Sequence, residues 1–224
     1  VLFVTNNSAA TVEDQEAALA RIGISATGDV LTSAMAAALL LQPGERAMVC
    51  GGEGVVQALE RRGVTCISHD EVDDGVLVDA VVVGLHRTFD YHVMARAAKA
   101  IRLGARLIGT NDDATYPTPD GPIPGGGSIL AAVQTAAGVE PQVAGKPHAP
   151  MAELVRHEIG ADAALRAVMV GDRPSTDGLF ARTLGCRYAH VWSGVTPRGT
   201  TIVPAPDLVG EDLAAVADVV VTSG

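Results

Sequence analysis

Lysine is nearly absent from this chain. Two residues, Lys99 and Lys146, stand against 14 arginines, and acidic residues outnumber basic ones 26 to 16 for a formal charge of −10. No basic cluster exceeds Arg61-Arg62, which excludes the cationic face that a duplex binder needs. Aromatic residues are also scarce at 3%, so stacked-base platforms and aromatic sugar troughs are excluded too. The three cysteines, Cys50, Cys66 and Cys186, are odd in number and far apart. That usage excludes a disulfide framework or a zinc knuckle and predicts reduced thiols in a cytoplasmic protein. Apolar runs such as Ala36–Leu41 and Ala80–Val83 are far too short for a membrane helix. No basic head precedes the first apolar run, so no signal peptide is expected. There is no initiator methionine, and the chain opens on Val-Leu-Phe-Val, which reads as the middle of a buried strand.

What is present is enough for a core. Apolar types make up 48% and charged types 19%, which excludes disorder as the overall state. At about 150 residues per domain, 224 residues predict one large domain or two small ones.

Hydrophobic patterning predicts strands alternating with helices. Val1–Val4 reads as a strand ending in Thr5-Asn6-Asn7-Ser8, and Thr11 caps a helix whose first turn is acidic. Ser33–Leu41 reads as an Ala-rich helix stopped by Pro43-Gly44. A second series follows, with strands at Ala47–Cys50, Val64–Ile67, Ala80–Gly84 and Arg106–Gly109 and helices at Val55–Arg62 and Tyr91–Leu103. The stretch from Asn111 to Gly127 is rich in Pro, Gly, Asp and Thr and reads as a long functional loop. A helix at Ser128–Ala137 closes the series. The last part predicts helix Met151–Ile159, strand Ala167–Val170, helix Leu179–Leu184, strand Tyr188–Val191 and one more short helix and strand. Such alternation means α/β with mainly parallel sheets. The breaks at Pro43-Gly44 and Pro141–Gly145 bracket the middle series as an insertion.

In open parallel sheets, ligands sit beyond the carboxyl ends of the strands. Three loops there carry chemistry. Gly171-Asp172-Arg173-Pro174-Ser175-Thr176-Asp177 can fold two carboxylates toward one point, and oxygen-only ligands on a loop suit magnesium. The competing reading makes Asp172 a turn cap and Asp177 the cap of the helix at Leu179. Lys146, held between Gly145 and Pro147 in a chain that otherwise uses arginine, reads as a compact point charge for a phosphate oxygen or a buried carboxylate. Its alternative is a surface lysine. Thr5-Asn6-Asn7 offers a hydroxyl and amides to an anion, or simple turn chemistry.

Together, Val-Leu-Phe-Val-Thr-Asn-Asn-Ser, Gly-Lys-Pro at 145–147 and Gly-Asp-Arg-Pro-Ser-Thr-Asp at 171–177 resemble the second, third and fourth motifs of haloacid-dehalogenase (HAD) superfamily phosphatases. The resemblance is strongest to the subfamily of nitrophenylphosphatase-like, phosphoglycolate and glycerol-phosphate phosphatases. It extends through Val81–Leu85, Thr110–Thr115 and Pro124–Ser128. It implies a HAD-like Rossmannoid core with a parallel sheet (1–44 and 143–224) and an inserted α/β C2-type cap (45–142). It implies a Mg2+-dependent hydrolase of small phosphate monoesters working through a phospho-aspartate. Thr5, Asn6 and Asn7 would hold the phosphoryl group and Lys146 would neutralise it. Asp172 would bind the metal, with Asp177 supporting the metal or Lys146. A small phosphorylated metabolite is the implied partner, with a homodimer through the cap and neither nucleic acid nor membrane.

The family's first motif, Asp-x-Asp, supplies the nucleophile and lies upstream of the second. Nothing precedes Val1 in the sequence, so a truncated chain without its nucleophile, inactive as it stands, is expected. The strands ending at Thr5 and Gly171 would then lie about 10 Å apart, twice the usual spacing. A slot between them would also leave apolar edges and poor stability.

Further candidates are weaker. Arg87 after the strand at Ala80–Gly84 would meet a substrate anion and His86 would donate a hydrogen bond, or the pair is simply solvated. Asn111, with Asp113 and Thr115, would touch substrate or brace a hinge. The other histidines show no metal spacing. Gly51-Gly52-Glu53-Gly54 hints at a dinucleotide turn, but Gln57 stands where the fingerprint wants glycine, and Gly125–Ser128 lacks the lysine of a P-loop. The rival to an enzyme is a non-catalytic domain of the same fold that binds a phosphate ligand or a partner.

Overall fold

Alternating strands and helices are what the chain forms in a computed structural model that describes residues 1–73 and 75–222. Two units result, Val1–Gly145 and Lys146–Gly224.

In the first unit, β1 (Phe3–Thr5) pairs in parallel with β2 (Val30–Thr32). Between them runs α1 (Val12–Arg21), started as expected by the Thr11 hydroxyl accepting from Asp14 N–H at 3.1 Å. Thr32 ends β2 and caps α2 (Ser33–Ala38) in the same way. A parallel sheet follows, built from β3 (Arg46–Cys50), β4 (Thr65–Ile67), β5 (Ala80–Val83), β6 (Arg106–Gly109) and β9 (Gln142–Val143), in the order β4-β3-β5-β6-β9. All four residues of β5 are buried, the pattern of a strand covered on both faces. Helices α3 (Glu53–Arg61), α4 (His69–Asp73), α5 (Tyr91–Arg102) and α6 (Gly126–Ala137) complete the unit. Val81, Val83, Leu107, Ala97, Ile101 and Val133 belong to its main hydrophobic cluster. Within the expected loop 111–127, β7 (Thr115–Tyr116) and β8 (Ile123–Pro124) form a short antiparallel ribbon.

The glycines at 51–54 serve packing. Gly54 N–H donates to Ala9 O at 3.1 Å, and a Cβ on Gly54 would overlap the carbonyl of Ala10. Only a glycine lets the first turn of α3 seat against residues 8–10. The dinucleotide hint is explained by that contact.

The second unit places α7 (Ala149–Ile159) and α8 (Ala161–Arg166) before a parallel sheet of β10 (Val168–Gly171), β11 (Arg187–Val191) and β12 (Leu208–Gly210), in that order. A single wide helical turn at Pro174–Gly178 leads into α9 (Leu179–Leu184), and α10 (Leu213–Thr222) ends the described chain. In the tail the strand precedes the helix, and β2, β7, β8, β9, α4 and α8 lie outside the elements expected from the sequence. The expected helix at Ser33–Leu41 is shorter here. β1 and β10 belong to different sheets, one in each unit.

All three thiols are free, with Cys50 and Cys186 buried and Cys66 half-buried. Burial pushes the Cys50 thiol up to about 12 and, with help from Glu60 and Glu53, the Cys66 thiol up to about 11. Among the described residues no helix is long and apolar enough to cross a membrane.

Two histidines, each with a buried ring nitrogen that is unpartnered among the described residues, predict a pH dependence. His190 on β11 is fully buried, its Nδ1 bonded to the Tyr188 hydroxyl at 3.0 Å and its Nε2 unpartnered among the described residues. His86 buries an unpartnered Nδ1. Desolvation holds both below the ordinary 6.5, against the raising pull of nearby carboxylates. Each is neutral when folded and ionises more readily when unfolded. Stability is therefore intact above pH 6.5 and falls as the pH drops below it. Urea denaturation at pH 7.5 and 5.5 checks this, and His190→Gln should flatten the difference.

Candidate active site

In the second unit, the site is assembled at the carboxyl end of β10. Lys146 and Asp177 are both buried, and Lys146 Nζ donates to Asp177 Oδ1 at 2.7 Å. The other oxygen, Asp177 Oδ2, accepts from Arg173 N–H at 3.1 Å. A Cβ on Gly171 would overlap this carboxylate, so the glycine is what lets Asp177 fold back under the strand end. Lys146 is thus no surface lysine. Asp177 engages the lysine and its own turn rather than acting as a simple helix cap.

Asp172 is held by a loop that the sequence did not single out. Its Oδ2 accepts from Val195 N–H at 2.6 Å, and its main-chain carbonyl accepts from the Thr196 hydroxyl at 2.5 Å. Gly194 lies so close that a Cβ there would overlap the carboxylate. Neither Val195 nor Thr196 belongs to a recognisable motif, and the contact spans 23 residues. Behind it, the Tyr188 hydroxyl touches Gly171 O at 3.4 Å, and burial, then Asp177 and Asp172, push that phenol up.

The first unit carries the Thr5–Ser8 loop. Thr5 Oγ1 accepts from Asn7 N–H at 3.0 Å, and Asn7 Oδ1 accepts from Ala9 N–H at 3.1 Å. Asn6 is gripped from two sides: its side-chain amide donates to Asp113 Oδ2 at 3.0 Å, while its carbonyl accepts from Ser33 Oγ at 2.9 Å and Asn111 Nδ2 at 2.8 Å. Ser8 Oγ and Thr110 Oγ1 lie 2.9 Å apart beneath them. Asn111 is therefore brought to Asn6, while Arg87 stands elsewhere, exposed, with its guanidinium 5.9 Å from the centre of the Tyr116 ring. Sequence reasoning missed Ser33, whose only signal was a small polar residue just inside a helix start.

The donor set fits a magnesium ion. Asp172 keeps one oxygen pinned by an amide and has no hydrogen bond to Oδ1 among the described residues. Magnesium takes one or two carboxylates and fills its remaining positions with water and substrate phosphate. No group of three or more His, Cys, Asp or Glu among the described residues could hold a metal by itself.

Residues 1–65 match the family described as haloacid dehalogenase-like hydrolase, and residues 143–216 match the HAD-hydrolase-like family. Over 201 residues the chain is 36% identical to the 5'-nucleotidase YutF of Bacillus subtilis (strain 168), covering 88% of this chain and 75% of that protein. The chain belongs to the haloacid dehalogenase-like hydrolases. It is also 38% identical over 221 residues to the D-glycerol 3-phosphate phosphatase of Mycobacterium tuberculosis (strain ATCC 25618 / H37Rv), covering 95% of this chain. The chain spans 61% of the length of that relative. Among solved structures, a glycerol phosphate phosphatase from Mycobacterium tuberculosis in complex with magnesium superposes with a TM-score of 0.84 at 36% identity, covering 96% of this chain and 66% of that one. As a HAD-like hydrolase of the nitrophenylphosphatase-like branch, the chain has the expected α/β class with parallel sheets.

Proposed function

We propose that the whole protein hydrolyses small phosphate monoesters with Mg2+ as cofactor, and that these 224 residues supply its anion-binding and metal-holding side chains. The observation that carries this reading is the buried Lys146–Asp177 pair, 2.7 Å apart and five residues from a carboxylate with a second, separate anchor. A buried ammonium fixed by a carboxylate is a preorganised charge, worth more toward a developing phosphoryl charge than a mobile one in water. Relatives that act on glycerol phosphate and nucleotides support the substrate class.

In this reading the Thr5 hydroxyl and the main-chain N–H of Asn6 hold the transferring phosphoryl group, Asn7 orients Thr5 through its N–H, and Lys146 neutralises the charge. Asp172 would hold the magnesium, with Asp177 keeping Lys146 aimed. When bound, the ion polarises phosphate oxygens and offsets their charge. Arg87 on the Tyr116 ring would receive an anionic part of the leaving group. The division into a core of 1–44 plus 143–224 and a cap of 45–142 is part of the proposal, and the two family matches at 1–65 and 143–216 support it.

The test is a screen of the whole protein against phosphate monoesters with and without magnesium. Turnover that requires the ion, and that Asp172→Asn lowers by about a hundredfold or more, is expected. Phosphate binding without any turnover would favour a non-catalytic domain instead.

A further inference from the structure

Asn111 is buried, yet its amide does not face an open surface. With Ser33 it donates to the main-chain carbonyl of Asn6, at 2.8 Å, and more weakly to Thr110 Oγ1 at 3.4 Å. That carbonyl shares a peptide unit with the N–H of Asn7, and this N–H donates to Thr5 Oγ1 at 3.0 Å. A hydroxyl has two acceptor sites and one proton. With an N–H directed at its lone pairs, the Thr5 hydroxyl turns its proton away from Asn7 and presents it as a donor. Two donors on the Asn6 carbonyl also polarise the peptide and strengthen the Asn7 N–H. The loop 111–113 holds Asn6 from its other side as well, because Asp113 accepts from the Asn6 amide while Asp113 N–H donates to Asn111 Oδ1 at 3.2 Å.

We infer that Asn111 and Ser33 are positioning residues which act through the peptide between Asn6 and Asn7 to fix the Thr5 hydroxyl as an anion donor. Asn111 does this rather than touching the phosphate ester. The inference rests on the reading of Thr5 as a phosphate donor, and it ties the loop after β6 to the loop after β1 through one rigid peptide.

The test is a double-mutant cycle in the whole protein, read as the affinity for inorganic phosphate by titration calorimetry. Thermal midpoints are recorded for every variant. Thr5→Val should weaken phosphate binding about tenfold, the loss of one hydrogen bond to a charged group, and Asn111→Ala and Ser33→Ala should each weaken it by a part of that factor. If Asn111 works through Thr5, then Asn111→Ala on the Thr5→Val background weakens binding no further. A merely structural role would lower the midpoint and leave the two effects multiplicative. Multiplicative losses, or an Asn111→Ala affinity equal to that of the parent, overturn the inference while the phosphate site stands. A parent protein with no affinity for phosphate overturns the Thr5 reading itself, and the inference with it. Should Asn111→Ala not fold, Ser33→Ala removes the other donor to the same carbonyl and must show the same non-additivity with Thr5→Val.

Discussion

Lys146→Met is expected to abolish turnover of phosphate esters by the whole protein and to destabilise the fold at the same time. Both consequences come from one contact. Lys146 Nζ lies 2.7 Å from Asp177 Oδ1, and the two side chains are 10% and 8% exposed. Removing the ammonium leaves a buried carboxylate with, among the described residues, the Arg173 N–H at 3.1 Å to offset it. Breaking a buried pair from one side costs about 3–5 kcal/mol, mostly as the penalty of the orphaned charge. Asp177→Leu on top of Lys146→Met should recover part of that loss, since no unpaired charge then remains. Activity should not return in the double variant. Losing a preorganised charge at a phosphoryl site costs on the order of 10²–10³ in kcat. Lys146→Arg should not rescue it either, because a planar guanidinium cannot replace a compact ammonium between Gly145 and Pro147. Urea denaturation and steady-state kinetics check the two arms. A midpoint and a kcat both within error of the parent would remove Lys146 from the site.

Gly194→Ala is expected to weaken metal binding. A Cβ at this position overlaps the Asp172 carboxylate, which is anchored on the same loop by Val195 N–H. One of the two must move. The overlap includes Asp172 Cβ, which no side-chain rotation can move, so the loop at 194–196 shifts and its Val195 N–H anchor on the carboxylate is lost. Changes in the support of a metal ligand cost about 10- to 100-fold in metal affinity or activity. The expected result is a rise of that size in the magnesium concentration giving half-maximal rate, with a matching loss in Mn2+ affinity read by electron paramagnetic resonance. Equal metal affinity in Gly194→Ala and the parent would mean that the 194–196 loop does not set the carboxylate.

Much of this architecture is written in local signals. Thr11 with Asp14, Asp90 accepting from Val93 N–H, and the unbroken apolar run of β5 each mark an element within a few residues. The motif loops were legible for the same reason: a strand ending in Gly-Asp or in Thr-Asn-Asn places polar groups at a sheet edge whatever the rest does. β2 escaped because its three residues run straight into a helix, so that Thr32 is at once the last strand residue and the cap. The supports of the site were illegible for a different reason. Ser33 reaches Asn6 across 27 positions and Val195 reaches Asp172 across 23, and such distances leave no periodic trace. Gly194 and Ser33 look like ordinary loop and helix residues until the chain is folded.

The placement of the three thiols settles how the protein can be tagged. With Cys66 pushed up to about 11, only about one molecule in ten thousand carries a Cys66 thiolate at pH 7, and Cys50 is less ionised still. Burial raises the Cys186 thiol as well, so maleimide dyes will react slowly with the native cysteines. A single cysteine introduced at the exposed Tyr91, at the start of α5, would take a fluorophore cleanly in an otherwise unaltered background.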